Sequence, residues 1–286
     1  MRYEIEYALA CDRGKVRSIN QDNFYCPHKQ FLDAANNGLD TIESHQIYSD
    51  GNPSFAVFDG MGGEQYGEKA AYIAAETLNS LQNKLRDKNN HKNIQDFLTN
   101  SCGQMNRNIT DYAMQKLAAC AGTTAAMMIF GEKGVFACNI GDSRIYRYRY
   151  NSGKLKQISQ DHVADAYQVY QNQKPPLTRF LGMPESEYIT TEPHITREPC
   201  NNGDCYLICS DGLTDMLAED EIEKIIAMNG DVKLCVETLL ENALLKGGRD
   251  NITIILCRIN IIKKRHIVSG MLYNLLRKGQ KYGIYG

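Results

Sequence analysis

Phe55-Ala56-Val57-Phe58-Asp59-Gly60-Met61-Gly62-Gly63 is a short apolar run that ends on a carboxylate and breaks into glycines. Such a run reads as a buried strand, and the glycines as a sharp turn out of it. A helix follows over 66–84, where Ala70, Ile73, Ala74, Thr77, Leu78 and Leu81 recur on one face. The same layout returns at Leu207-Ile208-Cys209-Ser210-Asp211-Gly212. Gly247-Gly248-Arg249-Asp250-Asn251 inverts it, with Asp250 at the entrance of an apolar strand. Asn20-Gln21-Asp22 and Gly141-Asp142-Ser143 add two more aspartates at turn-like positions.

Around these points the chain resolves into alternating blocks. A second amphipathic pattern covers 93–117, with Ile94, Phe97, Leu98, Met105, Ile109 and Tyr112 on one face, and a polar turn at 86–92 precedes it. Segments 124–130, 135–140 and 144–150 are short, β-rich and separated by turn residues, which predicts antiparallel hairpins. Later strands are expected at 205–210 and 252–259, with helices at 219–228 and 232–245 between them. The order describes an α+β protein with helices covering sheet faces. No repeat or Pro/Gly/Ser linker divides it, so one domain is expected over 1–260. Residues 26–54 read as a surface excursion. After Asp250 no acidic residue occurs, while Arg258, Lys263, Lys264, Arg265, Arg277, Lys278 and Lys281 make 261–286 a basic extension.

Composition narrows the function. The chain has 286 residues and a net charge of -2, which argues against a dedicated nucleic-acid binder. The charged start, Met1-Arg2-Tyr3-Glu4-Ile5-Glu6, lacks the apolar run of a signal peptide. No segment reaches the roughly 18 apolar residues that span a bilayer, and a soluble, cytoplasmic protein is expected. Ten cysteines occur without any C-x-x-C pair. Reduced core thiols are therefore expected rather than zinc ligands or disulfides.

The aspartates carry the chemistry. A lone Asp-Gly is usually only a turn, but a series of them at strand ends is a different signal. Carboxylates gathered in a partly buried cleft stay ionised only when cations neutralise them. Hard oxygen donors without His or Cys select magnesium, manganese or calcium. Two such ions about 3.5–4 Å apart activate a water for in-line attack on phosphorus.

The series as a whole resembles the protein phosphatase 2C family, also called PPM, and its bacterial branch. The resemblance is carried by Asp12-Arg13-Gly14-Lys15-Val16-Arg17-Ser18-Ile19-Asn20-Gln21-Asp22, by 57–63, and by Gly122-Thr123-Thr124. It continues through Asn139-Ile140-Gly141-Asp142-Ser143-Arg144, Asp161-His162 and Leu177-Thr178-Arg179-Phe180-Leu181-Gly182. Cys209-Ser210-Asp211-Gly212-Leu213-Thr214-Asp215 and Arg249-Asp250-Asn251-Ile252-Thr253 complete it. The resemblance implies a four-layer α-β-β-α sandwich, two antiparallel sheets flanked by helices, with metals in a cleft at one end. It assigns two catalytic Mn2+ or Mg2+ ions to Asp22, Asp59, Asp211, Asp250 and the Gly60 carbonyl, and a third, weaker ion to Asp142 with Asp211. Arg17 matches the arginine that grips the substrate phosphate, a role suited to a planar fork of donors. Asp12, Thr123, His162 and Asn251 match supporting positions.

The implied activity is metal-dependent phosphoserine/phosphothreonine hydrolysis on other proteins, in signalling opposite a serine/threonine kinase. A metal-bridging hydroxide attacks in line, without a covalent intermediate. Some eukaryotic relatives carry a histidine where this chain has Met61, and methionine cannot protonate the leaving group. Only residues 163–176 fill the place of a usually longer flap between the Asp-His and Leu-Thr-Arg motifs, so a shortened flap is expected. For the basic tail, a closing helix is favoured over docking to an acidic partner or an anionic membrane surface. Two other function classes stay in play: a catalytically weak phosphoprotein-binding or regulatory module, and another two-metal hydrolase of small phosphate esters or nucleic acid, the latter disfavoured by near-neutral charge.

Overall fold

The computed structural model describes residues 2–33, 37–48, 51–61, 66–85, 91–117, 121–132, 134–165, 174–184 and 192–262. Its strands sort by burial on two faces. In β1 (Arg2–Asp12) the odd positions Tyr3, Ile5, Tyr7 and Leu9 enter one core, while Ala8 and Ala10 enter another. That alternation follows from the two-residue period of a strand. In β11 (Cys205–Cys209) and β12 (Ile252–Ile262) it recurs, with Tyr206, Ile208 and Ile255 on one side and Leu207, Ile254 and Leu256 on the other. β11 and the first half of β12 are buried on both faces, which is why they read as continuous apolar runs, whereas β1 carries partly exposed Glu4 and Glu6.

The first sheet runs β3 (Glu43–Tyr48), β1, β12, β11, β8 (Arg144–Arg149), β9 (Lys154–Gln157). The second runs β10 (His194–Glu198), β7 (Gly134–Ile140), β6 (Ala125–Gly131), β4 (Ser54–Met61), β2 (Asp22–Tyr25), with β5 (Gly122–Thr123) also paired to β4. All pairings between neighbours are antiparallel. A core of Tyr7, Phe24, Phe55, Val57, Phe130 and Tyr206, among others, fills the space between the sheets.

Helices cover the outer faces. α1 (Gly67–Leu81) lays Ala70, Ala71, Ala74, Ala75 and Leu78 on the second sheet, beside α2 (His91–Lys116) with Phe97, Leu98, Met105 and Ile109. Alanines at the contact let α1 sit close to the strands beneath it. On the first sheet lie the short α3 (Asp211–Thr214), α4 (Glu219–Met228) and α5 (Val232–Leu245). Asp231 opens α5 by accepting from Lys233 N at 2.7 Å and Leu234 N at 2.9 Å, a side-chain cap on otherwise unpaired donors. The architecture is α+β, a four-layer α-β-β-α sandwich of two antiparallel sheets.

Two features differ from the sequence reading. The segment 26–54 is not excursion throughout, since β3 adds an edge strand to β1 within it. Its alternating half-buried and exposed pattern offered no apolar run to see. The closing strand extends past 260, with Ile261 and Ile262 paired to Tyr3 and Arg2. The middle of the shortened flap, 166–173, and the tail from 263 lie outside the described residues, as do Gly62, Gly63 and most of the 86–92 turn. The nine described cysteines are buried and free, as reduced core thiols.

Candidate metal centre

Every sequence-predicted aspartate of the site arrives at one end of the sandwich, and the register explains how. Asp22 pairs directly with Asp59 across β2 and β4, so the second sheet delivers two carboxylates side by side. In the first sheet, Ser210 N donates to Thr253 O at 3.1 Å, holding the start of α3 against the start of β12. Asp211 and Asp250 flank that junction. Asp142 comes from the β7–β8 turn. Asp59, Gly60, Asp142, Asp211 and Asp250 line a cleft of about 780 Å³, with Arg17 at its rim.

Asp22 lies deepest and ties the sheets together. Its Oδ2 accepts from Ser210 Oγ and Thr253 Oγ1, both at 2.7 Å, while Oδ1 is buried with no partner among the described residues. Burial pushes its pKa from 3.8 up to about 7, against the pull of those two hydroxyls. Asp59 is held well above its ordinary value, first by burial and then by the charges of Asp22, Asp142 and Asp250. Asp211 also has a buried Oδ1 without a partner.

Gly60 sits where nothing larger fits. A Cβ there would lie 2.2 Å from Gly67 O and 2.5 Å from Gln21 O. The close approach brings the Gly60 backbone to the cleft wall beside Asp59, and Gly60 N donates to Gln21 O at 3.2 Å. Thr123 and Thr124 fix the same corner. Thr123 Oγ1 and Thr124 N donate to Asp59 O, and Asp59 N donates to Thr124 Oγ1.

Basic side chains also line the cleft, Arg17, Lys174 and Arg249 among them. Arg17 Nη2 donates to Asp250 Oδ2 at 2.6 Å and is half exposed, so the rest of its fork faces the opening. Its loop is clamped by Asn251, whose Nδ2 donates to Arg13 O and Ile19 O while Oδ1 accepts from Gln21 N. Asp12 Oδ1 accepts from Gly14 N at the root of that loop. His162 Nδ1 accepts from Gly141 N at 3.2 Å, supporting the turn that carries Asp142, and burial lowers its pKa. Lys174 reaches Asp142 Oδ2 at 3.0 Å, contacts Asp211 Oδ2, and lies 3.6 Å from Asp215 Oδ2. The sequence reading gave no role to Lys174, or to Ser210 and Thr253.

Among the described residues, no three His, Cys, Asp or Glu side chains close into a ready ligand group. The acids ring the cleft with Lys174 and Arg17 between them. Two observations still fit divalent cations here: the orphaned buried oxygens of Asp22 and Asp211, and the mutual repulsion recorded at Asp59. The donors are oxygens only, the set that hard cations prefer.

The sequence pattern of a family described as protein phosphatase 2C matches residues 40–243. The serine/threonine phosphatase stp of Listeria welshimeri is 28% identical over 265 residues, 88% of this chain and 95% of that protein. The serine/threonine protein phosphatase PstP of Mycobacterium tuberculosis is 28% identical over 89% of this chain, which spans 45% of PstP. The crystal structure of the PstP catalytic domain with two manganese ions covers 91% of this chain and 100% of that domain, at 26% identity and a TM-score of 0.71. A Streptococcus agalactiae serine/threonine phosphatase aligns over 88% of this chain and 98% of its own, at 25% identity and a TM-score of 0.70. The matched residues 40–243 include Asp59, Asp142 and Asp211, while Arg17, Asp22 and Asp250 lie outside them.

Proposed function

The chain belongs to the protein phosphatase 2C family, and from that membership we infer that it is a metal-dependent serine/threonine protein phosphatase. The observation that carries this reading is the convergence of Asp22, Asp59, Asp142, Asp211 and Asp250 from five separate stretches on one cleft, with buried oxygens left over for a cation. The named relatives are serine/threonine phosphatases, and one structural relative holds two manganese ions.

In this reading Asp22, Asp59, Asp211, Asp250 and the Gly60 carbonyl hold two ions, manganese or magnesium. When bound, such a pair supplies an activated water for in-line attack on phosphorus and offsets charge on the phosphoryl oxygens. The chain's own side chains do the rest. Ser210 and Thr253 fix Asp22 through one oxygen and leave the other for a ligand. Asp250 orients Arg17, whose remaining donors grip two phosphoryl oxygens and align the ester with the acids. A guanidinium there also offsets charge that builds in the transition state. The substrates are phosphorylated proteins, the products of a serine/threonine kinase. No described helix is long and apolar enough to cross a membrane.

The test is phosphate release from a phosphothreonine peptide, with and without millimolar manganese, for the wild type and Asp211→Asn. Manganese-dependent release that the substitution abolishes is expected. Release that ignores both metal and Asp211 would show the site to be misassigned. No release from a wild type that binds manganese would favour a binding module or another phosphoester.

A further inference from the structure

Lys174 is a charged side chain of the cleft that the reading above does not use. Its ammonium is shared by three carboxylates from separate places: Asp142 on the β7–β8 turn, Asp211 at the start of α3 and Asp215 just after it. Asp142 and Asp211 are largely buried while Lys174 is 44% exposed along its side chain, so a cation enters this acid group from the solvent side.

The lysine is tethered rather than merely nearby. Pro175 and Pro176 follow it directly, and each locks its own φ. Just beyond, Pro176 O accepts from Ala164 N at 3.0 Å, Leu177 bridges Val163, and Thr178 N donates to His162 O at 2.8 Å. His162 in turn holds the Asp142 turn from the other side. Its backbone N donates to Gly141 O at 3.0 Å, and its ring accepts from Gly141 N. One short scaffold therefore positions both the ammonium and its acid partner. The lysine takes Oδ2 of Asp142 and Oδ2 of Asp211, the two acids that the resemblance assigns to an outer ion. Asp211 keeps its buried Oδ1 for an ion on the inner side.

We propose that Lys174 is the resident cation of the outer acid group, a tethered ammonium standing where a third metal ion would otherwise bind. This rests on the two-metal reading of the inner cleft. A monovalent, covalently held charge cannot be washed out, so the three outer acids keep one fixed counter-charge whatever the metal supply. The cleft then loads only its inner ions.

The experiment is a manganese titration of the full chain followed by electron paramagnetic resonance of free Mn2+, for the wild type, Lys174→Ala, Lys174→Arg and Lys174→Ala with Asp142→Asn. The wild type is expected to bind two ions, and Lys174→Ala to gain a weaker third whose affinity exceeds any outer-site binding in the wild type by at least about tenfold. Lys174→Arg keeps the wild-type number, because a guanidinium supplies the same charge. Adding Asp142→Asn to Lys174→Ala removes the gain. A third ion already present in the wild type, or no gain in Lys174→Ala, overturns the proposal while leaving the inner site intact. A wild type that binds no manganese overturns the two-metal reading itself, and the proposal with it.

Discussion

Replacing Asp22 with asparagine should stabilise the metal-free protein at pH 8 and remove its response to manganese. A carboxyl whose pKa is pushed from 3.8 to about 7 by burial destabilises its ionised native form by about 4 kcal/mol, at about 1.4 kcal/mol per pH unit. The sign follows from linkage. The native state holds a proton that the unfolded chain has released, so stability is complete below about pH 3.8 and falls as pH rises through 7. Asparagine carries no such charge. Its carbonyl can still accept from Ser210 and Thr253, while its amide takes the place of the orphaned Oδ1 and goes without an acceptor. That orphan costs about 1–3 kcal/mol. The net gain of about 1–3 kcal/mol corresponds to a melting temperature roughly 2–5 °C higher. Scanning calorimetry at pH 8 with chelator would show the gain, and at pH 5 it should vanish. Manganese at a hundredfold excess over its Kd stabilises a binding protein by about 2.7 kcal/mol, and the variant should lose that increment. A variant that melts several degrees below wild type at pH 8 without metal, or keeps the full manganese shift, refutes the reasoning.

Two other sites give simpler expectations. Arg147 is buried, with Nη2 2.7 Å from Asp204 and Nη1 2.7 Å from Glu198; Arg147→Met leaves the Asp204 carboxylate buried and unpaired and should cost about 3–5 kcal/mol in urea denaturation. A loss under about 1 kcal/mol would mean that solvent reaches the pair. A Cβ on Gly212 would lie 2.0 Å from Asn251 O; Gly212→Ala must push the start of α3 away from β12, and an overpacking cost of about 1–3 kcal/mol should weaken manganese binding about 5- to 150-fold by calorimetry. An unchanged Kd would show that the Asp211–Asp250 spacing does not matter to the ion.

The sequence was legible where residues are buried on both sides. β4, β6, β11 and β12 show as apolar runs, and α4 and α5 fall at the expected 219–228 and 232–245. The edge strands were not legible. In β9, Lys154–Gln157, half-buried residues alternate with exposed ones, and β10, His194–Glu198, has no fully buried position. Such strands are specified by the neighbour they pair with rather than by their own pattern. The same divide runs through the site. Asp59 and Asp211 announce themselves because each follows or ends an apolar run at a turn, and Asp250 because it stands at the entrance of one, while Asp22 shows only as a turn-like aspartate that the resemblance picks out. That Asp22 faces Asp59, and that Ser210 and Thr253 reach across to it, depends on the register between distant strands. Lys174 stands before two prolines in a stretch without periodicity, and only its arrival among three carboxylates gives it meaning.

The pairing of β1 with β12 along its whole length, Arg2 with Ile262 through Asp12 with Ile252, has a consequence for synthesis. β1 occupies the interior of its sheet, and during synthesis one of its edges stays uncovered until β12, far later in the chain, has been made. Asp250 lies two residues before that strand, so the growing chain carries an incomplete set of cleft aspartates until synthesis has passed it. A pairing this distant in sequence is slow to form, and unpaired strand edges invite wrong partners meanwhile. A nascent chain stalled before residue 250 should therefore hold no manganese at this cleft, and its β1 edge is where chaperones would find work.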